Sequence, residues 1–289
     1  MKPPSLPIGL VGPGIQPREG DGAALDYPPM PRAMATYDPP RLPEPEELSA
    51  LGPALDLLAR LQTALAGYRV VAPPIQFDLP ALDPPNRAML EQTLGQGEVA
   101  GTLQVDREGG LSGAIGETRL AGVWWVSVRA QVSAPAQDYL EVADLPTVAR
   151  ALAFVGAVAQ VGLPEPIPPG VMNAPGVLAE VNGQAARYQA GARPHVINLT
   201  LLPQTPEDLV CLDAALGRGT LGLLSRGYGT CRVTSTRLRH GWRVRHFNSE
   251  DRLILDTIEV TDVPVAVLAA QEDIDDSAVR LADILKSLR

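Results

Sequence analysis

Two short glycine-containing segments decide the fold: Leu94-Gly-Gln-Gly-Glu-Val99 and Leu216-Gly-Arg-Gly-Thr-Leu221, which lie 122 positions apart. Farther along the chain, a spacing of 118 aligns Thr118-Arg-Leu120, Trp124 and Val126 with Thr236-Arg-Leu238, Trp242 and Val244. The same spacing aligns Asp138, Glu141-Val142, Asp144 and Pro146 with Asp256, Glu259-Val260, Asp262 and Pro264. An ordered series of matches indicates an internal duplication rather than chance.

The two copies extend over residues 46–162 and 172–289, and a stiff Pro-rich connector at residues 163–171 joins them. Leucines at three- and four-residue steps from Leu48 to Leu65 predict a helix, whereas Trp242-Arg-Val-Arg-His-Phe247 alternates as a half-buried strand does. Each copy reads helix, strand, helix, three or four antiparallel strands, helix. We therefore predict an α+β fold of two tandem repeats. Each is a mostly antiparallel sheet with flanking helices, and the two pack face to face as a pseudo-two-fold body.

Two further segments have distinct composition. Residues 1–45 hold 12 of the 29 prolines, which predicts an extended Pro/Gly-rich arm. Its apolar patches favour docking on the body or on a partner, and a flexible leader is the alternative. The apolar run within residues 146–162 predicts a core helix that begins at Pro146.

Charge and hydrophobicity exclude several classes of protein. The chain has 33 acidic and 24 basic residues and a formal charge of −9, which argues against nucleic acid and anionic membranes as partners. The longest apolar helical run, Ala151 to Ala159, is shorter than the ~18 residues that a membrane span requires. Pro3, Pro4 and Pro7 interrupt any apolar signal-peptide pattern near the start. We predict a cytoplasmic protein without membrane insertion.

Few residues are candidates for chemistry. Cys231, His240 and His246 form the only set that resembles a thiol nucleophile with a base, and no acid stands where it would orient either imidazole. The segments Gly217 to Gly219 and Ser225 to Gly229 lack the glycine spacing of a phosphate-binding loop. We therefore predict no catalytic residue, no cofactor and no metal site, which leaves a binding protein.

Motifs along nearly the whole chain carry a resemblance. They include Ser225-Arg-Gly-Tyr-Gly-Thr-Cys-Arg-Val-Thr-Ser-Thr236, Leu253-Ile-Leu-Asp-Thr-Ile-Glu-Val260, Gly122-Val-Trp-Trp-Val126, Met172-Asn173-Ala174-Pro175, the segment Asn198 to Leu202 and Gly12-Pro-Gly14 in the arm. Together they resemble the hydrogenase expression/formation proteins of the HupH/HyaF type. The resemblance implies a non-catalytic maturation chaperone or scaffold for an uptake [NiFe]-hydrogenase. Its partner would be the precursor of the small, iron–sulfur subunit before twin-arginine export, and a second hydrogenase accessory protein is a further candidate.

For the contact surface we predict residues of the second repeat and of the arm. These are Tyr27, Met30, Arg226, Tyr228, Cys231, Trp242, Arg243, Arg245 and Asn248. Arg243 and Arg245 are chosen because one strand offers both on the same face, and ordinary exposed charge is the alternative. For Trp242 the alternative is core packing.

Two other functions stay open at this stage. One is a thiol or cluster-handling enzyme that depends on Cys231. The other is an adaptor that bridges two maturation proteins without contacting the hydrogenase itself.

Overall fold

The computed structural model describes residues 48–79, 82–105, 110–131, 134–227 and 229–288. The predicted arm, with Tyr27 and Met30, lies outside the described residues, and so does Tyr228.

Six α-helices are present in these ranges: α1 (Gly52–Gly67), α2 (Pro84–Leu94), α3 (Thr147–Leu152), α4 (Ala174–Arg187), α5 (Pro206–Leu216) and α6 (Gln271–Ser287). Four of them, α1, α2, α4 and α5, carry proline in the first turn, where its missing N–H leaves no hydrogen bond unmade. Asp83 caps α2, and Thr205 with Asp208 forms a capping box at the start of α5. None of the helices in the described ranges is both long and apolar enough to cross a membrane.

The predicted helix from Pro146 to Gly162 is wrong beyond Leu152, where α3 ends. Gly156 adopts a φ of +77°, a left-handed conformation that ends helical propagation. Val158 then forms a bridge with Leu238 of the second half, and Phe154 packs edge-on against Trp242 at 5.0 Å. The expected core position is corrected as well: within Ala151 to Ala159 only Ala153 is buried, and Val158 is exposed although it contacts the other half of the chain.

Within the described residues, ten strands form one antiparallel sheet. They are β1 (Ile75–Asp78), β2 (Val99–Gln104), β3 (Ser112–Glu117), β4 (Val123–Arg129), β5 (Gln137–Val142), β6 (His195–Asn198), β7 (Leu221–Gly227), β8 (Gly229–Ser235), β9 (Gly241–Phe247) and β10 (Leu253–Val260). Their order across the sheet is β1-β5-β4-β3-β2-β7-β8-β9-β10-β6.

The halves meet where β2 pairs with β7, with Val99 opposite Ser225 and Leu103 opposite Leu221. This corrects the expected face-to-face packing of two sheets, because the strands of both halves join edge to edge instead. The pairing satisfies the backbone groups that two separate sheets would each leave free at one edge.

The two faces of this sheet are covered differently. On the helical face, α1, α2 and α6 pack over β1 and β5 at one end, and α4 and α5 pack over β6 and β10 at the other. The opposite face carries a core that includes Trp124, Trp242, Val233 and Val244, and it is covered by residues around α3 and by the 3-10 turn Val265–Val267. The α+β class, with a large antiparallel sheet and flanking helices, is confirmed.

The predicted repeats do not form separate cores. Helix α6 belongs to the second half by sequence, yet its Ile274 and Leu281 share a core with Leu58 and Leu61 of α1. Conversely, the segment after α3 belongs to the first half by sequence but packs on Trp242 and Leu238 of the second half. Each half therefore contributes its last segment to the other half, which ties them into one body.

Paired details nevertheless support the duplication. The indole Nε1–H of Trp124 donates to the Ala143 carbonyl at 2.9 Å, and that of Trp242 donates to the Thr261 carbonyl at 3.1 Å. The two donors are 118 positions apart, and so are the two acceptors. Helices α2 and α5 also end alike, at Gly95 with a φ of +57° and at Gly217 with a φ of +58°. The duplication and its two-fold relation stay a prediction that these features favour.

Candidate partner-binding surface

Five of the predicted contact residues lie on β7, β8 and β9, divided between the two faces of the sheet: Arg226, Cys231, Trp242, Arg243 and Arg245. Successive side chains of a strand point to opposite faces, so Arg243 and Arg245 lie on the helical face while Trp242 and His246 lie on the other. That Arg243 and Arg245 share a face agrees with the prediction. Their environments, however, differ strongly.

Arg243 is an internal ion-pair partner rather than a surface cation. Its Nε donates to Asp256 Oδ1 at 2.6 Å and its Nη2 donates to Asp256 Oδ2 at 2.7 Å, a bidentate arrangement. Arg243 is only 7% exposed and Asp256 only 5%. The prediction that Arg243 faces a partner is therefore corrected, because its guanidinium is covered and committed to Asp256.

Arg245 stays accessible at the edge of the same cluster. Its Nη2 lies 2.7 Å from both carboxylate oxygens of Asp213, which projects from α5, and about a third of the side chain is exposed. Burial acts to lower the pKa of Arg245, but the hydrogen bonds and charges of Asp213 and Asp256 together outweigh burial and raise it. The cation therefore stays charged and is positioned by α5.

Arg226 and Arg232 are the openly exposed cations of this region. Arg232 lies opposite Arg245 across β8 and β9, and its guanidinium stacks over the Phe247 ring at 4.6 Å. Sequence reasoning missed Arg232. The alternation of β8, with Cys231 and Val233 inward, was the signal that places Arg232 outward.

Trp242 is a core residue. It is 0% exposed, its indole nitrogen is bonded to the Thr261 carbonyl, and Phe154 covers its ring. The prediction that Trp242 faces a partner is therefore corrected in favour of the core-packing alternative.

Cys231 also lies on the inner face and is 8% exposed. Its Sγ is 3.7 Å from His246 Nε2, so the thiol and imidazole that the sequence suggested do meet. Burial, with a smaller contribution from the Glu259 charge, raises the pKa of the Cys231 thiol to about 11. A neutral, buried thiol is a poor nucleophile and does not present itself to a partner, which corrects the assignment of Cys231 to the contact surface.

Asn248 and His240 have structural roles. Asn248 Oδ1 accepts hydrogen bonds from the backbone N–H groups of Glu250 and Arg252, and so closes the hairpin turn between β9 and β10. His240 packs against Tyr188 and Phe154, so it does not join Cys231 and His246. Among the described residues, no group of three His, Cys, Asp or Glu side chains is arranged to hold a metal ion.

Comparison of its sequence with known proteins places this chain in the class of hydrogenase expression/formation proteins. HupQ of Azotobacter chroococcum mcd 1 is 47% identical over 96% of this chain and 98% of its own length. HupH of Rhodobacter capsulatus is 45% identical over 98% and 97%. The solved structure of the hydrogenase expression protein HupH from Thiobacillus denitrificans is 29% identical, covers 40% of this chain and 94% of its own, and has a TM-score of 0.36.

The sequence pattern described as "HupH hydrogenase expression protein, C-terminal conserved region" matches residues 52–153 and 171–288. The chain therefore belongs to the HupH family of hydrogenase accessory proteins.

Proposed function

We propose that this chain is a cytoplasmic, non-catalytic chaperone or scaffold that holds the small-subunit precursor of an uptake [NiFe]-hydrogenase before twin-arginine export. The observation that carries the proposal is similarity over nearly the full length of both chains to proteins named for hydrogenase expression/formation. Full-length similarity matters because it includes both halves of the sheet, not a shared module alone.

Two properties of the described residues suit a holding role. The sheet face between the helical layers leaves part of β2, β3, β7 and β8 uncovered, which offers a preformed surface to another polypeptide. The only close thiol–imidazole pair among them, Cys231 and His246, carries a thiol whose pKa is raised, not lowered. Binding thus suits these residues better than covalent catalysis does.

The net charge of −9 adds an electrostatic element. A twin-arginine signal is basic, so attraction to an acidic chaperone would speed encounter and weaken with salt. The affinity for the precursor should fall as ionic strength rises. An affinity that does not change with salt would remove this element of the proposal.

Co-purification tests the proposed function. The affinity-tagged chain is co-expressed with the small-subunit precursor or, as the matched control, with the large-subunit precursor of the same hydrogenase. The small subunit should be retained and the large subunit should not. Retention of neither, or of the small subunit only when a second accessory protein is present, would contradict the proposal, and the latter result would favour the adaptor.

A further inference from the structure

The helical face of the sheet is open at its centre. On one side of the opening, Arg87 of α2 stacks over Trp125 of β4 at 5.6 Å and pairs with Asp138 of β5 at 3.0 Å. On the other side, Asp213 of α5 pairs with Arg245 of β9. Five strand spacings separate β4 from β9. At ~4.8 Å per spacing they span ~24 Å, and after subtracting the ~10 Å width of a helix about 14 Å stays open.

Small side chains form the floor of this opening. We call it the central trough and define it by Ala100, Thr102, Ala114, Gly116, Gly222 and Leu224, which cross-strand pairing places on the helical face of β2, β3 and β7. Ala100, Thr102 and Ala114 are exposed. A Cβ added at Gly116 would have no heavy atom within 4 Å, so the floor is uncovered there.

The two flanks of the trough differ in chemistry. Trp125 lies directly beyond Gly116, and Arg232 lies directly beyond Leu224. Arg226 extends the basic flank, one step farther along β7. Among the described residues, no carboxylate lies within 4.0 Å of the Arg226 or Arg232 guanidinium, unlike Arg243 and Arg245, which are both paired. In a chain with a net charge of −9, the described part thus exposes two cations without a carboxylate partner there, beside an uncovered, narrow sheet surface.

We propose that the central trough binds a partner polypeptide segment that carries carboxylates. Its apolar side chains lie towards Trp125, and its carboxylates lie towards Arg226 and Arg232. Small floor residues admit a helix or an extended strand closely, while charge complementarity with the arginines selects an acidic segment and fixes its direction. The proposal rests on the proposed function for the identity of the partner, and it assigns to the trough a segment other than the basic export signal.

Two substitutions test the trough directly. Gly116→Trp adds bulk to the floor at a position where an added Cβ meets no heavy atom within 4 Å, and Arg232→Glu reverses the exposed charge. Gly176→Trp, on the exposed face of α4 where an added Cβ also meets nothing within 4 Å, is the control for bulk. Arg193→Glu, in the exposed segment between α4 and β6, is the control for charge. Circular dichroism and the urea midpoint establish that all four proteins fold as the wild type does.

The probes are overlapping fluorescein-labelled 20-residue peptides that cover both hydrogenase subunit precursors, and fluorescence anisotropy measures their binding to the full chain. We expect acidic peptides to bind the wild type and both controls. Gly116→Trp and Arg232→Glu should each weaken that binding by about tenfold or more, since 1.4 kcal/mol corresponds to a factor of ten.

Three results would overturn the proposal. The first is the absence of any acidic peptide whose binding depends on the trough substitutions. The second is a changed hydrogen exchange of residues 1–47 in isolated Gly116→Trp, which would identify the chain's own amino-terminal segment as the occupant. The third is a difference in sedimenting mass between wild type and Gly116→Trp, which would identify a second copy of the chain as the occupant of the trough. Failure of the precursor to co-purify would instead count against the proposed function, so the two failures are distinguishable.

Discussion

Arg243 on β9 and Asp256 on β10 form a buried, bidentate ion pair with N–O distances of 2.6 and 2.7 Å. The pair lies under α5, where Asp213 approaches the same guanidinium at 3.6 Å. Strand β9 was expected to present two arginines to a partner. One of them, Arg243, instead binds Asp256 of the neighbouring strand β10 and lies near Asp213 of α5.

Removing one member of this pair should destabilise the protein. Asp256→Ala leaves a buried guanidinium without its main partner, and such losses typically cost about 3–5 kcal/mol. Urea unfolding of Asp256→Ala and of Arg243→Ala should show this decrease in the free energy of unfolding. The double substitution Arg243→Met/Asp256→Leu should recover most of it, because no buried charge is left unpaired. A double variant as unstable as the single ones would contradict this account.

How much of this arrangement the sequence predicts depends on the kind of interaction. Alternation in Trp242 to Phe247 correctly places Arg243 and Arg245 on one face of a strand, since alternation is a local property. Which of the two is buried depends on Asp256 and Asp213, which lie 13 and 32 positions away from the arginines they bind. Local patterns do not report such partners.

The fold shows the same division. The order of helices and strands follows from periodicity and from the matched segments, and it agrees with the structure. The joining of β2 to β7 does not follow, because strand periodicity gives the buried face and not the neighbouring strand. The early end of α3 at Leu152 could not be predicted either, because Phe154 and Val158 contact Trp242 and Leu238, which lie in the other half of the chain.

Asp208 should make stability depend on acid pH. Its carboxylate is fully buried and accepts backbone hydrogen bonds from Met172, Asn173, Ala174 and Thr205 at 2.8–3.0 Å. Burial alone would raise the pKa of Asp208, but these four donors outweigh it and hold the pKa well below its usual range. A depressed pKa means that the stabilisation is present above the unfolded-state value of about 3.9 and is lost as pH falls below it.

The matched comparison for Asp208 is Asp208→Asn. The amide keeps one acceptor oxygen but not the second, so the variant should lose about 1–3 kcal/mol of stability at pH 7. The difference from wild type should shrink as pH falls below ~4. Asp276→Asn, on the exposed side of α6, serves as the control and should track the wild type throughout. If the free energy of unfolding of Asp208→Asn were below that of wild type by the same amount at every pH, the ionised form of Asp208 would not be what stabilises this site.

Glu117 at the end of β3 should have the opposite pH dependence. Burial, followed by the nearby charges of Glu98 and Asp273, raises the pKa of Glu117 to about 7, although the Gly122 N–H donates to its carboxylate at 3.2 Å. Because the folded-state pKa lies above the unfolded value, the folded state holds the proton between about pH 4.5 and 7. Stability from this group is therefore complete at acid pH and declines as pH rises through 7.

Substitution of Glu117 by Gln separates this effect from the rest of the chain. Glu117→Gln should have a higher melting temperature than wild type at pH 8 and no such advantage at pH 5, because only the ionised carboxylate is penalised by burial. Differential scanning calorimetry at pH 5, 6, 7 and 8 measures both proteins. Parallel melting curves at every pH would show that Glu117 does not titrate in this range.

Cys231 distinguishes a scaffold from a thiol enzyme. Since burial raises the pKa of its thiol to about 11, little thiolate is present at neutral pH despite His246 at 3.7 Å. In a Cys211→Ser background, which leaves Cys231 as the sole cysteine, alkylation by iodoacetamide should be slow at pH 7.5 and accelerate only as pH rises well above 9. Cys231→Ser should retain the hydrogenase subunit in co-purification at wild-type yield. Rapid alkylation at neutral pH, together with loss of hydrogenase maturation in Cys231→Ser cells at unchanged protein level, would favour a thiolate activated by His246 and hence the enzymatic alternative.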